Sequence, residues 1–470
     1  MWASASVLRL RPFDRSTAVG RSRERYRRIA LATASVIAAR AASAVSVLVS
    51  VPLTIRYLGH ERYGMWMVIS SLMILASCAD LGLGNGLVNS VAAADGRADR
   101  HAMRSAISCS FFMVSSIAVF LLGAFAMVYA VVPWERLFNV SSHLAVEESG
   151  PAVAAFVICF ALSLPLDLIQ RVRMGQQEAH INYLWQCAGN LMGLAMVVLA
   201  VLCRAGLPTL VFALFGPPLL TMLINSCVHF GWQRPWLRPS WTSLDGTVAR
   251  TLMRSGCAFL ILQVFTLLGN ATDNVVIAHV RGASAVAPYA VTQKLFMFAL
   301  LAQAFVLPLW PAFGEAQARR DWKWARHALN RSLLVSVVLG VTLALPLVAL
   351  GRAIIYQWAG PQLIPSQSLL VGFFAWVVLA SYGGVMSSYL NSGPLLCQQT
   401  IFVALAALTS LCLKFLFVSI WDISGAIWAT VVGYGLLYVL PAARLAYRAP
   451  VLSDGCVESS PRPPQLAECR

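Results

Sequence analysis

The sequence predicts an all-α polytopic membrane protein of about twelve transmembrane helices, arranged as two six-helix lobes related by an internal repeat. Three observations predict it. Of 470 residues, 59% are hydrophobic and only 11% are charged, with a mean hydropathy of +0.72. Soluble domains carry about 45–50% apolar and about 25% charged residues, so charge this sparse does not cover a water-facing surface. Second, twelve apolar segments of about 20 residues, the length a helix needs to cross hydrocarbon, use nearly the whole chain. Third, the second half repeats polar positions of the first. No room is left for a soluble catalytic domain. No long segment alternates with period two, which argues against a transmembrane β-barrel.

The expected spans begin near Ile29, Tyr63, Met103, Pro151, Gln177, Pro208, Thr251, Ala285, Ala325, Gln367, Thr400 and Ser424. They divide the chain into a basic cytoplasmic tail (1–28), an N-terminal lobe (29–231), a cytoplasmic linker (232–250), a C-terminal lobe (251–447) and a second cytoplasmic tail (448–470). With twelve spans, the tails, the connectors after even-numbered helices and the helix ends beside them hold 26 of the 35 cations, eight of them in the N-terminal tail, among them Arg9, Arg11 and Arg15. The opposite side holds six (Arg56, Arg62, Arg136, Arg204, Arg281 and Arg352), and three (Arg40, Lys294 and Lys414) lie inside spans. Cations gather on the cytoplasmic side, so both termini are expected there and an even helix count follows. The Arg- and Ser-rich start also fits a transit peptide, but Asp14 and Glu24 suit a basic tail better. Because the cations occupy short connectors rather than one soluble face with interleaved aromatics, nucleic acid is excluded as a partner. The eleven cysteines form no CxxC, and Cys109, Cys159, Cys227, Cys257 and Cys412 sit within apolar segments, as packing residues do. Trp66, Trp134, Trp232, Trp310, Trp322 and Trp358 mark bilayer interfaces.

The first span carries a polar face. Arg40, Ser43, Ser46, Ser50 and Thr54 recur at spacings of 3, 3, 4 and 4, which at about 100° per residue gathers them within roughly 120° of arc. The seventh span has its own: Gln263, Thr266, Asn270 and Asp273, at spacings of 3, 4 and 3. A shift of 223 residues places Arg40 on Gln263, Ser43 on Thr266, Ser50 on Asp273, Asp80 on Gln303, Gly59 on Gly282 and Arg97 on Arg320, and fails at Ser46 and Thr54. An ionised side chain at mid-span costs at least about 2.5–3.5 kcal/mol. Arg40, eleven residues into its helix, lies roughly 16 Å deep at 1.5 Å per residue, too deep to snorkel comfortably. It needs a partner or a wet cavity, and Asp80, Asp273 and Lys294 make the same demand. Two readings stand: these side chains line a substrate cavity, or they pair and pin helices, with Asp273 and Lys294 on successive helices as the natural pair. Lys414 reads as a structural or interfacial cation. Asp167 and Glu315, at cytoplasmic helix ends, need no special role.

Gly82-Leu83-Gly84-Asn85-Gly86 lacks the preceding strand and full spacing of a nucleotide-binding loop. Three glycines in five residues instead weaken the helix, which suits a hinge or a close helix contact. No metal or cofactor motif is present, and the scattered histidines lie mainly near span ends.

Tyr57-Leu58-Gly59-His60-Glu61-Arg62-Tyr63-Gly64-Met65-Trp66, then Asp80-Leu81-Gly82-Leu83-Gly84-Asn85-Gly86-Leu87 and Asp95-Gly96-Arg97, resemble the bacterial polysaccharide flippases, the O-antigen and capsule repeat-unit transporters of the multidrug/oligosaccharidyl-lipid/polysaccharide exporter superfamily. The resemblance covers the first 100 residues best; the corresponding turn in the second half, Gly282 to Tyr289, matches less well. It implies movement of an undecaprenyl-pyrophosphate-linked oligosaccharide from the cytoplasmic to the periplasmic leaflet of the bacterial inner membrane, by alternating access around a cationic cavity. Arg40 would neutralise phosphate, and the Ser43, Ser46, Ser50, Thr54, Thr266 and Asn270 hydroxyl and amide groups would bond sugar and water. The implied partners are the lipid-linked oligosaccharide, the bilayer, and a polysaccharide polymerase with its chain-length machinery. No cofactor is implied; a coupling proton or sodium ion stays open. The rivals are a proton- or sodium-coupled multidrug antiporter of the same superfamily, using Asp80 and Asp273, and a membrane glycan polymerase acting through the short Pro133–Gly150 connector.

Overall fold

The computed structural model describes residues 17–76, 79–137, 142–282, 285–300, 305–359, 361–393 and 395–455. Arg9, Arg11 and Arg15, the end of the C-terminal tail, Ala283 and Ser284 of the second-half turn and the side chain of Asn270 lie outside the described residues.

Among those residues every regular element is a helix. They are α1 (Ala18–Ala76), α2 (Leu83–Arg97), α3 (Arg100–Tyr129), α4 (Trp134–Leu137), α5 (His143–Gly175), α6 (Ala179–Leu202), α7 (Leu207–Cys227), α8 (Gly246–Arg281), α9 (Val286–Met297), α10 (Val306–Ala318), α11 (Trp322–Ala359), α12 (Gln367–Asn391), α13 (Leu396–Trp421), α14 (Ser424–Tyr434) and α15 (Leu440–Gly455). Nine helices among the described residues are long and apolar enough to cross a membrane. The other three expected spans fall in α1, which takes those beginning near Ile29 and Tyr63, and in the broken pair α9 and α10. Capping follows local chemistry: the Asp99 carboxylate accepts from Ala102 N (3.0 Å) at the start of α3, and Ser366 Oγ accepts from Leu369 N (3.2 Å) at the start of α12. Large apolar side chains such as Phe120 and Val119, 78% and 69% exposed, face outward, a placement that costs nothing against lipid tails.

The long run α1 doubles back. Arg28 donates to the Gln176 carbonyl (2.8 Å) before α6, and the Tyr57 hydroxyl donates to the Ala205 carbonyl (2.8 Å) beyond its other end, so the first leg follows α6 from start to finish. Arg62 then pairs with Glu148 near the start of α5, while Asn85, beyond the run, meets Arg171 near the end of α5. The return leg therefore follows α5 back to the level of Arg28. We call this level, rich in Arg28, Arg173 and Arg234, the basic end.

The chain forms two compact units, Met1–Val264 with Ala304–Arg319, and Phe265–Gln303 with Arg320–Arg470. They differ from the lobes drawn at 29–231 and 251–447: the first unit continues into α8 and regains α10. The reason is local packing within that unit. Trp310 Nε1 of α10 donates to Asn89 Oδ1 of α2 (2.7 Å). Glu315 receives Arg25 Nε (3.2 Å), Gln177 Nε2 (2.5 Å) and Arg319 Nε (3.0 Å). Within the region expected as a basic tail, 1–28, helix begins at Ala18, and Glu24, Arg25 and Arg27 are buried, with Glu24 accepting from Arg27 and Arg28. The segment 232–250 holds the 3-10 turns Pro235–Leu237 and Trp241–Ser243 and the first turn of α8. An echo of the repeat survives: α2 begins at Leu83 and α10 at Val306, and 306 − 83 = 223.

The glycine run makes a close helix contact. Leu81 and Gly82 both take positive φ (51° and 73°), breaking the helix before α2. A side chain at Gly82 would strike the backbone of Gly256 and Leu260 on α8. Glycine is required there twice, for its conformation and for the approach.

Candidate functional site

Within the first unit, Arg40 on α1 is exposed. Arg40 and Arg171 both lie within electrostatic reach of the Tyr183 hydroxyl on α6. Arg171 Nε pairs with Asp167 Oδ2 (3.0 Å), its Nη1 donates to Asn85 Oδ1 (3.0 Å), and Gln170 Nε2 donates to Asp167 Oδ1 (2.7 Å). Asp80 lies within reach of the same guanidinium. Four helices and the turn at Asp80 thus bring two guanidiniums, two carboxylates, a phenol and two amides together. The sequence singled out Arg40 and Asp80 but gave Asp167 no special role, although its spacing of four from Arg171 was the available signal. Tyr183 carries no sequence signal of its own.

Asp80 has a prior engagement. Its two carboxylate oxygens accept from Gly82 N (2.9 Å) and Gly84 N (3.2 Å), satisfying donors that the helix start leaves open. The Asp-Leu-Gly-Leu-Gly motif is therefore a helix break with its own cap: the acid anchors the α2 N-terminus, and the glycines admit the turn and the neighbour.

The hydroxyl face of α1 meets several fates. Ser43 is exposed, while Ser46 donates across to the Asn190 carbonyl of α6 (3.2 Å). Thr54, 1% exposed, donates back to the half-buried Ser50 carbonyl (2.8 Å). In α8, Gln263 is half-buried in the first unit and Thr266 is exposed in the second.

In the second unit, Asp273 is 4% exposed and Lys414 0%. Lys414 Nζ lies 2.5 Å from Asp273 Oδ1 and donates to the Gly269 carbonyl (2.6 Å) and Thr272 Oγ1 (3.1 Å), while the Tyr289 hydroxyl donates to Asp273 Oδ2 (2.6 Å). The expected pairing of Asp273 with Lys294 is corrected. Lys294 stands exposed on α9, and Lys414 of α13 takes its place, its charge fully sheltered against the buried carboxylate. Tyr289, missed by the sequence reading, completes the pair. The described residues contain no group of three or more His, Cys, Asp or Glu able to hold a metal.

Solved structures share this fold. An outward-facing multidrug resistance MATE family transporter of the MOP superfamily superposes with a TM-score of 0.74 over 93% of this chain and 97% of that one, at 13% identity. A MOP superfamily transporter from Pyrococcus furiosus, described as having a binding pocket of reversed polarity, gives 0.76 over 92% and 97%, also at 13% identity. The fold is that of the two-lobe, 12-helix membrane transporters.

Residues 31–317 match the polysaccharide biosynthesis protein family, and the chain belongs to that family. Two relatives agree: a Salmonella typhi protein described as a candidate O-antigen transporter, 23% identical over 66% of this chain and 68% of its own, and its counterpart in Salmonella typhimurium, 22% identical over 62% and 66%.

Proposed function

We propose that this chain is a flippase that carries polyprenyl-pyrophosphate-linked oligosaccharide repeat units across the bacterial inner membrane for surface polysaccharide synthesis, and that it is a transporter rather than an enzyme. Both termini lie in the cytoplasm on this reading, with the basic end on that side, following the 26-to-6 distribution of cations. The bilayer bars a bulky headgroup bearing an anionic pyrophosphate. Arg40 offers that anion a membrane-depth cation, and a hydrated cavity beside it spares the sugars from hydrocarbon while the polyprenyl tail stays in lipid.

One observation carries this reading over the cation antiporter: the carboxylates an antiporter would exchange are engaged. Asp80 holds the α2 N-terminus, and Asp273 is tied to Lys414 and Tyr289. Arg40, in contrast, makes no hydrogen bond or ion pair among the described residues. Complementation of a flippase-deficient strain tests the proposal. Wild type restores periplasmic exposure of the lipid-linked unit and Arg40→Ala does not; full activity in Arg40→Ala removes Arg40 from the mechanism. Export of an anion also draws on the inside-negative potential, at about 2.3 kcal/mol per elementary charge per 100 mV. Collapsing the potential is therefore expected to slow transport, and an unchanged rate rejects this source of direction.

A further inference from the structure

A cavity of about 340 Å³ lies within the first unit, between α2, α5 and α7. Its volume falls in the range of small-ligand sites, about 300–1,000 Å³. One wall is aromatic: Phe156 and Phe160 lie nearly parallel, 7° apart with centroids at 6.1 Å, and Phe215 meets Phe156 edge-on at 5.5 Å. The Asp167–Arg171 pair also lines it, with Asp80 beside them. Both members of the pair stay open to the space, 36% and 30% exposed.

The chemistry of this lining selects its occupant. A free cation would meet the Arg171 guanidinium among the carboxylates, and a phosphate would meet Asp167 and Asp80; each places like charges together. An acyl chain would strip water from the ion pair and return no hydrogen bonds. A sugar ring suits both the aromatic and the charged walls. Its C–H face lies against the phenyl rings, and its neighbouring hydroxyls both donate and accept. A carboxylate has lone pairs beyond those already used by Gln170 and Arg171, and a guanidinium has donors beyond Nε and Nη1.

The geometry points to this cavity as a sugar subsite: it takes one ring of the transported oligosaccharide, stacked on Phe160 and hydrogen-bonded to Asp167 and Arg171. The inference rests on the flippase reading and assigns the sugar and the anion to different groups, the sugar here and the pyrophosphate at Arg40.

The test uses the full chain in lipid nanodiscs and, as probe, the free oligosaccharide released by mild acid from the host's lipid-linked repeat unit. Saturation-transfer NMR reads magnetisation passing from protein to sugar protons. Wild type is expected to give a signal that Phe160→Ala and Asp167→Asn each weaken, with affinity falling about tenfold or more for Asp167→Asn, the scale of a lost charged hydrogen bond. Leu219→Trp, which fills the cavity and leaves the ion pair in place, is expected to abolish it. Thermal unfolding of each variant separates lost binding from lost fold. No signal with wild type, or equal signals in wild type and all folded variants, overturns the subsite. Wild-type complementation of the flippase-deficient strain stands or falls separately, so a working transporter with no sugar signal sinks the subsite alone.

Discussion

Arg40 and Lys414 are two cations within long helices that the protein treats in opposite ways. Lys414, in the second unit, is wholly buried with three oxygen partners and a carboxylate among them. Arg40, in the first unit, is exposed and influences Tyr183 without closing on a partner. Burying a charge is tolerable only when it is paired and hydrogen-bonded. The second unit has spent its charge on its own cohesion, and the first has kept one available. The contrast teaches that intramembrane charge is a signal of demand, and only its partners say whether the demand is structural or directed at a ligand.

Substitutions test the contrast, beginning with the largest effect. Lys414→Met leaves Asp273 buried without its cation and is expected to destabilise the protein by about 3–5 kcal/mol, measured by denaturant unfolding of the full chain in detergent. Replacing both members, Lys414→Met with Asp273→Leu, should recover most of that loss and retain export; a stable double variant that fails to export would give the pair a transport role and break the comparison. Tyr289→Phe removes one hydrogen bond to the same carboxylate, a loss of about 1.5–3 kcal/mol by the same unfolding measurement. Arg40→Ala should change stability by about 0.5 kcal/mol or less while abolishing periplasmic exposure of the substrate. A large loss of stability there would make Arg40 a second Lys414. Ser46→Ala is the mildest, near 1 kcal/mol or below, because it loses a single bond to the Asn190 carbonyl; a strong export defect in a stable Ser46→Ala variant would return that hydroxyl to the substrate path.

Much of the fold was legible because a bilayer demands it: span length, sparse charge and the lopsided cations are all consequences of crossing hydrocarbon. Helix breaks were readable where glycine and aspartate mark them, at Asp80 to Gly86. Partnerships were not. Periodicity placed Ser43 and Ser46 on one face, yet Ser46 bonds to α6 and Ser43 stays exposed, because a helix face wider than one contact meets both a neighbour and open space. Asp273 was recognised as needing a partner, but 141 positions separate it from Lys414 (414 − 273) and only tertiary packing brings them together. Asp167 reads in sequence as a commonplace helix-end charge; the aromatic wall beside it and Arg171 is announced by no local pattern.

The placement of α10 bears on how the molecule is made. The chain quits its first compact unit at Val264 and returns to it only at Ala304. During synthesis, Arg25 and Gln177 therefore wait for Glu315, while the ribosome delivers everything between. The first unit stays incomplete until more than half of the polypeptide has entered the bilayer. Closure of the first unit therefore waits on α10, which is made only after α9 of the second unit.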